Sequence, residues 1–294
     1  MHAALLPERS VIRLMGEETK HFLQGIVTNN VEALAPGESS FAALLTPQGK
    51  ILFDFFVVAI AEDEGGGFII DAPRPLTPDL IKRLTFYRLR AKVEIEARAD
   101  LLVAVAIDGK PPDETGLTYR DSRHTKLGTR IILPVDGAEA ALRAAGFSLV
   151  DAEDWQKLRI SVGVPEGGKD FIYGDTFPHE ADMDQLAGVD FEKGCFIGQE
   201  VVSRMQHRGV ARTRVIPIAY ADAAPIAGVE VKIGDKSAGF MGSAANGRGL
   251  AKIRLDRVEE GFAANEKLIA GNIPITLVKP DWAKFPFPGE AAKS

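Results

Sequence analysis

The chain of 294 residues has a single cysteine, and its neighbours are Lys193-Gly194-Cys195-Phe196-Ile197-Gly198-Gln199-Glu200. A thiolate is a nucleophile and a soft ligand, and it forms most readily beside positive charge or a helix N-terminus. The sequence offers both. Lys193 lies two residues before the sulfur, and a helix is expected from Gln199 onward, with Val201, Val202 and Met205 as its apolar positions. Gly194 and Gly198 bracket the cysteine and permit backbone conformations and close approaches that side chains would block. Cys195 and Lys193 are therefore the candidate catalytic residues, in a motif that runs through Glu200 and Arg204 to Arg208-Gly209. The alternative is a small apolar residue filling a gap in the core.

Other chemistry is limited by composition. One cysteine allows no intrachain disulfide and falls short of the four thiolates that normally hold an iron–sulfur cluster. The five histidines show no metal-ligand spacing. His179-Glu180-Ala181-Asp182-Met183-Asp184 lacks the H-E-x-x-H pattern, so no metal site is expected. With 35 basic and 41 acidic residues the formal charge is −6, which gives no overall attraction to a phosphate backbone, and no direct nucleic-acid partner is expected. The longest apolar run, residues 55–61, is too short to cross a bilayer. Residues 1–9 lack the basic and apolar regions of a secretory signal. The expectation is a cytoplasmic monomer with no membrane partner.

The elements that must position the cysteine are mixed. Residues 17–24 read as a short helix ending at Gly25. Residues 41–45 and 51–61 read as strands joined by the turn Thr46-Pro47-Gln48-Gly49, with 68–70 as a further hairpin strand. Thr77-Pro78-Asp79 opens a helix, the threonine as its cap, with Leu80, Leu84 and Tyr87 on one face. Strands are expected at 92–96, 101–107 and 131–133, and helices after Gly137 and Asp151. Past residue 212 the strand candidates are 212–220, 229–233, 237–242, 250–256 and 267–278. Turns at Gly234-Asp235, Asn246-Gly247 and Gly271-Asn272 suggest a small antiparallel barrel. The expected division is 1–212 and 213–294.

The segment FEKGCFIGQEVVSRMQHRG, residues 191–209, resembles the signature of the YgfZ family, folate-binding relatives of the glycine-cleavage T-protein that serve iron–sulfur proteins. Further blocks are similar to that family: His21-Phe22-Leu23-Gln24-Gly25 with Thr28-Asn29-Asn30, Leu45-Thr46-Pro47-Gln48-Gly49-Lys50, Tyr87-Arg88-Leu89-Arg90-Ala91-Lys92-Val93, and Leu158-Arg159-Ile160 with Gly163-Val164-Pro165. Asp121-Ser122-Arg123 with Gly128-Thr129-Arg130 resembles a D-x-R…G-x-R block, read as a structural loop.

The resemblance implies an α+β fold: a T-protein-like three-domain ring with two mixed α/β domains and a C-terminal antiparallel β-barrel. It implies tetrahydrofolate as cofactor, with Asp54 matching the T-protein aspartate and Gln24 and Asn29 in the same site. Arg204, His207, Arg208, Arg212 and Arg214 form a basic run. It either receives the anionic folate tail or is a solvated helix end. Ser161 stands where the T-protein pattern R-x-E-x-G has glutamate, and a serine cannot offer a bidentate carboxylate to a pterin. The implied function is a folate-binding accessory factor for assembly, maintenance or repair of iron–sulfur proteins. Its partners would be client or scaffold proteins, and its effect on tRNA modification indirect. The competing readings are a folate-dependent aminomethyl or methyl transferase and an interaction module that has lost folate.

Overall fold

The computed structural model describes residues 1–208 and 211–290. The chain divides into two units, Met1–Gln156 with Ala187–Gln199, and Lys157–Leu186 with Glu200–Ser294.

In chain order the first unit contains β1 (His2–Leu5), β2 (Arg9–Met15), α1 (Thr19–Gln24), β3 (Ser39–Leu45), β4 (Ile51–Ala59), β5 (Phe68–Pro73), α2 (Thr77–Arg88), β6 (Glu94–Ala97), β7 (Leu101–Ala106), β8 (Leu117–Arg120), β9 (Thr129–Pro134), α3 (Ala138–Ala144) and β10 (Ser148–Val150). The strands make two five-stranded sheets, ordered β3-β4-β5-β2-β6 and β10-β1-β7-β9-β8. All pairings are antiparallel except β1 with β10.

Side chains alternate across a strand, and β4 shows what this does here. Phe53, Phe55 and Val57 face a core shared with Ile12, Leu14, Ile70, Phe22 and Leu23 of the strands and α1, and with Leu80 and Leu84 of α2. Asp54 and Phe56 turn to the opposite face, where Phe56 pairs with Asp71 of β5. The second sheet builds its own core from Ala3, Ala104, Ala106, Ile131 and Leu133 against Ala138 and Leu142 of α3. Thr77 does not cap α2. It is the first helical residue, and its hydroxyl donates to the Pro73 carbonyl at 3.2 Å.

The face of β4 and β5 that carries Asp71 buries a charge network. Asp71, fully buried, accepts from Arg9 Nε at 2.6 Å, Arg130 Nη1 at 2.7 Å and the Tyr119 hydroxyl at 2.6 Å. Arg130 also donates to Asp121 at 3.2 Å, and Arg123 forks onto the same carboxylate at 2.9 and 2.7 Å. Aromatic faces cover the cations: Arg130 lies 4.4 Å from the Phe56 ring centre and 5.2 Å from that of Trp155. Burial by itself raises the Asp71 pKa, but Arg9 and Arg130 outweigh it and hold the carboxyl below its ordinary value. Arg130 therefore is no loop residue, as the sequence suggested, but a strand residue of β9 at the centre of this network.

The second unit contains the end of α4 (Ala152–Ser161), most of α5 (Gln199–Arg208), strands β11 (Thr213–Ala219), β12 (Glu230–Ile233), β13 (Lys236–Ala245) and β14 (Arg248–Arg254), α6 (Leu255–Ala263), and β15 (Leu268–Ala270), β16 (Ile273–Pro274) and β17 (Thr276–Leu277). The strands form an antiparallel sheet ordered β16-β15-β12-β13-β14-β11-β17, a nearly closed barrel. Its core includes Ile216, Ile218, Val231, Met241, Ile253 and Val258. The strand expected over 250–256 stops at Arg254, and α6 follows at once. Arg159 is fully buried and donates to Asp170 at 2.6 Å and to the Ser243 hydroxyl at 3.0 Å. Arg214 donates to Asp182 at 2.9 Å and forks onto Asp184, both bonds at 2.9 Å.

Candidate functional site

The cysteine segment re-enters the first unit at Ala187, and a set of main-chain anchors receives it. The Thr28 hydroxyl donates to the Gly188 carbonyl at 2.7 Å and accepts from Ala43 N–H at 2.8 Å. The Asn29 amide donates to the carbonyls of Phe41 at 2.8 Å and Ala187 at 2.6 Å. Asp190 N–H donates to the Thr28 carbonyl at 3.0 Å. The Asp190 carboxylate then accepts from the backbone of Glu192 at 2.8 Å and Lys193 at 3.1 Å, a local turn that aspartate favours.

Lys193 pins the loop on one side. Its ammonium donates to the Val27 carbonyl at 2.7 Å and to the Gln24 carbonyl, at the C-terminal end of α1. It also lies 5.3 Å from the ring centre of Phe196. Burial lowers its pKa to about 8, and Asp190 and Glu32 only partly restore it. The sequence placed Lys193 as the charge that favours the thiolate. In the structure its ammonium donates to two carbonyls. Gln24 adds a reciprocal contact: its side chain accepts from Val31 N–H at 2.9 Å and donates to the Lys193 carbonyl at 3.3 Å.

Gly198 pins the other side. Its φ is +80°, and a Cβ there would fall 2.6 Å from the Thr46 carbonyl oxygen and 2.9 Å from Gly49 Cα. The loop thus lies directly on the β3–β4 turn, and only glycine fits. Phe196 is buried, and Ile197 packs on the core. Gly194, by contrast, has open space around it despite a φ of +95°. Between these anchors Cys195 is exposed. Gly198→Ala is expected to cost about 1–3 kcal/mol through strain and displacement of the loop, read as a lower midpoint in urea. Gly194→Ala carries the strain of its positive φ but not the clash, so its loss should be the smaller of the two, and a larger loss there would contradict the contact of Gly198 with Thr46 and Gly49.

The remaining predicted residues fall as follows. Asp54 is buried on β4 opposite Ala43. Its charge, with that of Asp71, helps hold Arg9 protonated against the pull of burial. Gln24 and Asn29 belong to the anchors of the cysteine loop. Gln199 opens α5, its N–H donating to the Phe196 carbonyl at 3.2 Å. Glu200 and Arg204 pair with each other on the surface of α5 at 2.7 Å. Ser161 is exposed at the end of α4 and its hydroxyl donates to the Leu158 carbonyl at 2.7 Å. Gly209 lies outside the described residues. Among the described residues no group of three or more His, Cys, Asp or Glu is placed to hold a metal ion. No helix among them is long and apolar enough to cross a membrane. Sequence reasoning missed the anchors Thr28 and Asp190 and the partners of Arg130. Thr28 stood in a recognised block, but nothing in its spacing marked the hydroxyl's two bonds.

Residues 212–285 match the family model of the CAF17 C-terminal β-barrel domain. An iron–sulfur cluster assembly factor of Mycosarcoma maydis, the mitochondrial IBA57 homologue, is 33% identical over 230 residues, covering 74% of this chain and 57% of the relative. The human mitochondrial factor IBA57 is 28% identical over 278 residues, covering 88% of this chain and 75% of the relative. The crystal structure of the glycine cleavage system aminomethyltransferase T from Bartonella henselae superposes with a TM-score of 0.74 at 18% identity, covering 97% of this chain and 88% of the other. That likeness establishes the fold. The relatives are named as mitochondrial proteins, which overturns the cytoplasmic expectation. Cysteine usage speaks to a reducing setting and carries no address, so it could not choose between compartments. The chain is a relative, along most of its length, of the iron–sulfur cluster assembly factors named IBA57, with a glycine-cleavage aminomethyltransferase fold and a CAF17-type C-terminal barrel.

Proposed function

We propose that this chain is a tetrahydrofolate-binding accessory factor for the assembly, maintenance or repair of iron–sulfur proteins, as the YgfZ signature implies. Cys195 makes its contact with the client, the scaffold or the cluster being handled. The observation that carries the reading is an exposed thiol held between Lys193 and Gly198, in a chain whose relatives are named iron–sulfur cluster assembly factors. A soft, accessible sulfur suits transient capture of iron or persulfide sulfur. Enzymes that modify tRNA with iron–sulfur clusters would be affected only through their clusters.

The donor chemistry fits a reduced folate at Asp54. Asp54 is a carboxylate only 5% exposed on an apolar strand, and its charge already acts on Arg9. It would offer a pterin amine a charge-assisted acceptor. Calorimetry with tetrahydrofolate tests this. Asp54→Asn is expected to weaken binding by about 1–3 kcal/mol. Unchanged affinity in the variant would remove Asp54 from the site, and no heat in the parent protein would remove folate from the function.

Aminomethyl transfer is the lesser reading. The Ser161 hydroxyl is turned onto its own helix at Leu158 and offers no carboxylate to a pterin edge. No methylene-tetrahydrofolate is expected from an aminomethyl-lipoyl carrier. Its steady formation would restore the transferase reading.

A further inference from the structure

The exit of α2 carries a basic, exposed surface in this acidic chain. Residues 82–92, KRLTFYRLRAK, hold five cations and no carboxylate, in a protein of net charge −6. Two large apolar side chains stand out of this segment. Phe86 is 68% exposed and Leu89 83% exposed. Phe86 stands on the last turn of α2 with Lys82 and Arg83 one turn before it, and Leu89 and Arg90 follow directly past the helix end. The inner face is spent on the core through Leu80 and Leu84.

The exposure of Leu89 is enforced by the backbone. Leu89 has φ +49° and ψ −106°, outside the conformations a branched side chain favours. The turn after it is fastened: Ala91 N–H donates to the Arg88 carbonyl at 2.8 Å, Arg88 Nη1 to the Val93 carbonyl at 3.1 Å, and Lys92 N–H to Glu18 at 2.7 Å. The side chain is therefore held outward by a rigid, strained turn, with no core contact to compensate.

The cations are unequal. Lys82 pairs with Asp79 at 3.2 Å and Lys92 with Glu17 at 3.3 Å, and Arg83 lies over the Tyr87 ring at 5.8 Å. Arg90 has no partner among the described residues. We propose that this surface docks a partner protein whose contact face sets an apolar pocket, for Phe86 and Leu89, within a rim of carboxylates that meets Arg83 and Arg90. A second copy across a twofold axis would set these arginines against each other. A phosphate backbone offers Leu89 no counterpart. An anionic lipid surface would also meet exposed Glu17, Asp79 and Glu94, which discrete protein charges can avoid.

The test places a photoreactive benzoylphenylalanine at exposed Thr85 of the full chain in cells and identifies the adducts by mass spectrometry. The expected adduct is a protein other than this chain, cross-linked beside aspartates or glutamates around an apolar pocket. Its yield falls at least tenfold with Leu89→Ser and with Arg90→Glu, and binding of the purified adduct protein falls equally. Leu89→Gly separates docking from folding: it relieves the positive φ and raises the thermal midpoint, yet it loses the cross-link. Adducts only with a second copy, with lipid or with RNA would overturn the proposal. So would no adduct at all, or a yield indifferent to these variants.

Discussion

Asp71→Asn is expected to destabilise the protein by about 3–5 kcal/mol, because it leaves buried cations without their charge partner. Asp71 is fully buried and joins Arg9, Arg130 and Tyr119. Arg130 would retain Asp121, whereas Arg9 would keep the Asp71 main-chain carbonyl, at 2.6 Å, and the charge of Asp54 but lose its carboxylate hydrogen bond. Asparagine matches the shape and can still accept from Tyr119, so the loss reports charge rather than volume. Against a total stability of roughly 5–15 kcal/mol, the urea midpoint should fall steeply. The pH dependence has a definite sign. Asp71 titrates below its unfolded value, so its contribution is complete above the unfolded pKa. It is lost as pH falls through the folded one. The parent and variant curves should therefore converge in strong acid and separate at neutral pH. A difference at pH 7 under 1 kcal/mol would mean that water or relaxation already relieves the two arginines.

Legibility in the sequence followed the reach of each signal. β3, β4 and the turn between them were readable because their apolar run and turn residues are local. β2 was not read. Val11, Ile12 and Leu14 are all buried, so the strand lacks the alternation of a strand with one wet face. β1 is four residues containing two alanines, too short and too bland to register. α6 was not read, and the expected strand ran two residues into it because β14 passes into the helix without a break at Arg254–Leu255.

At the candidate site the motif and its exposed cysteine were legible, since they occupy one short segment. The contacts that hold it were not. Gly198 meets Thr46 and Gly49, and Lys193 meets Gln24 and Val27, pairs that are close only after folding. Proximity along the chain suggested that Lys193 serves the sulfur. In the fold its ammonium also donates to the carbonyls of Gln24 and Val27, contacts with no sign in the sequence. The charge network was misjudged for the same reason, since Asp71, Tyr119 and Arg130 come from three strands.

Cys195→Ser is expected to remove function with almost no change in stability. The side chain is exposed, and surface substitutions usually fall within about 0.5 kcal/mol. Gly194 has room around it, while Phe196 and Gly198 keep the loop in place whatever occupies position 195. The chemistry is another matter. A serine hydroxyl is neither a soft ligand nor a readily ionised nucleophile, so contact with iron or sulfur is lost though the shape is kept. Folate affinity, which we propose to rest on Asp54, should remain.

The most direct measurement is the activity of iron–sulfur enzymes in cells lacking this chain, after return of the parent protein or of Cys195→Ser at matched protein levels. The parent should restore activity, while the serine variant, folded and still binding tetrahydrofolate, should restore none. Full restoration by the serine variant would contradict the role of Cys195.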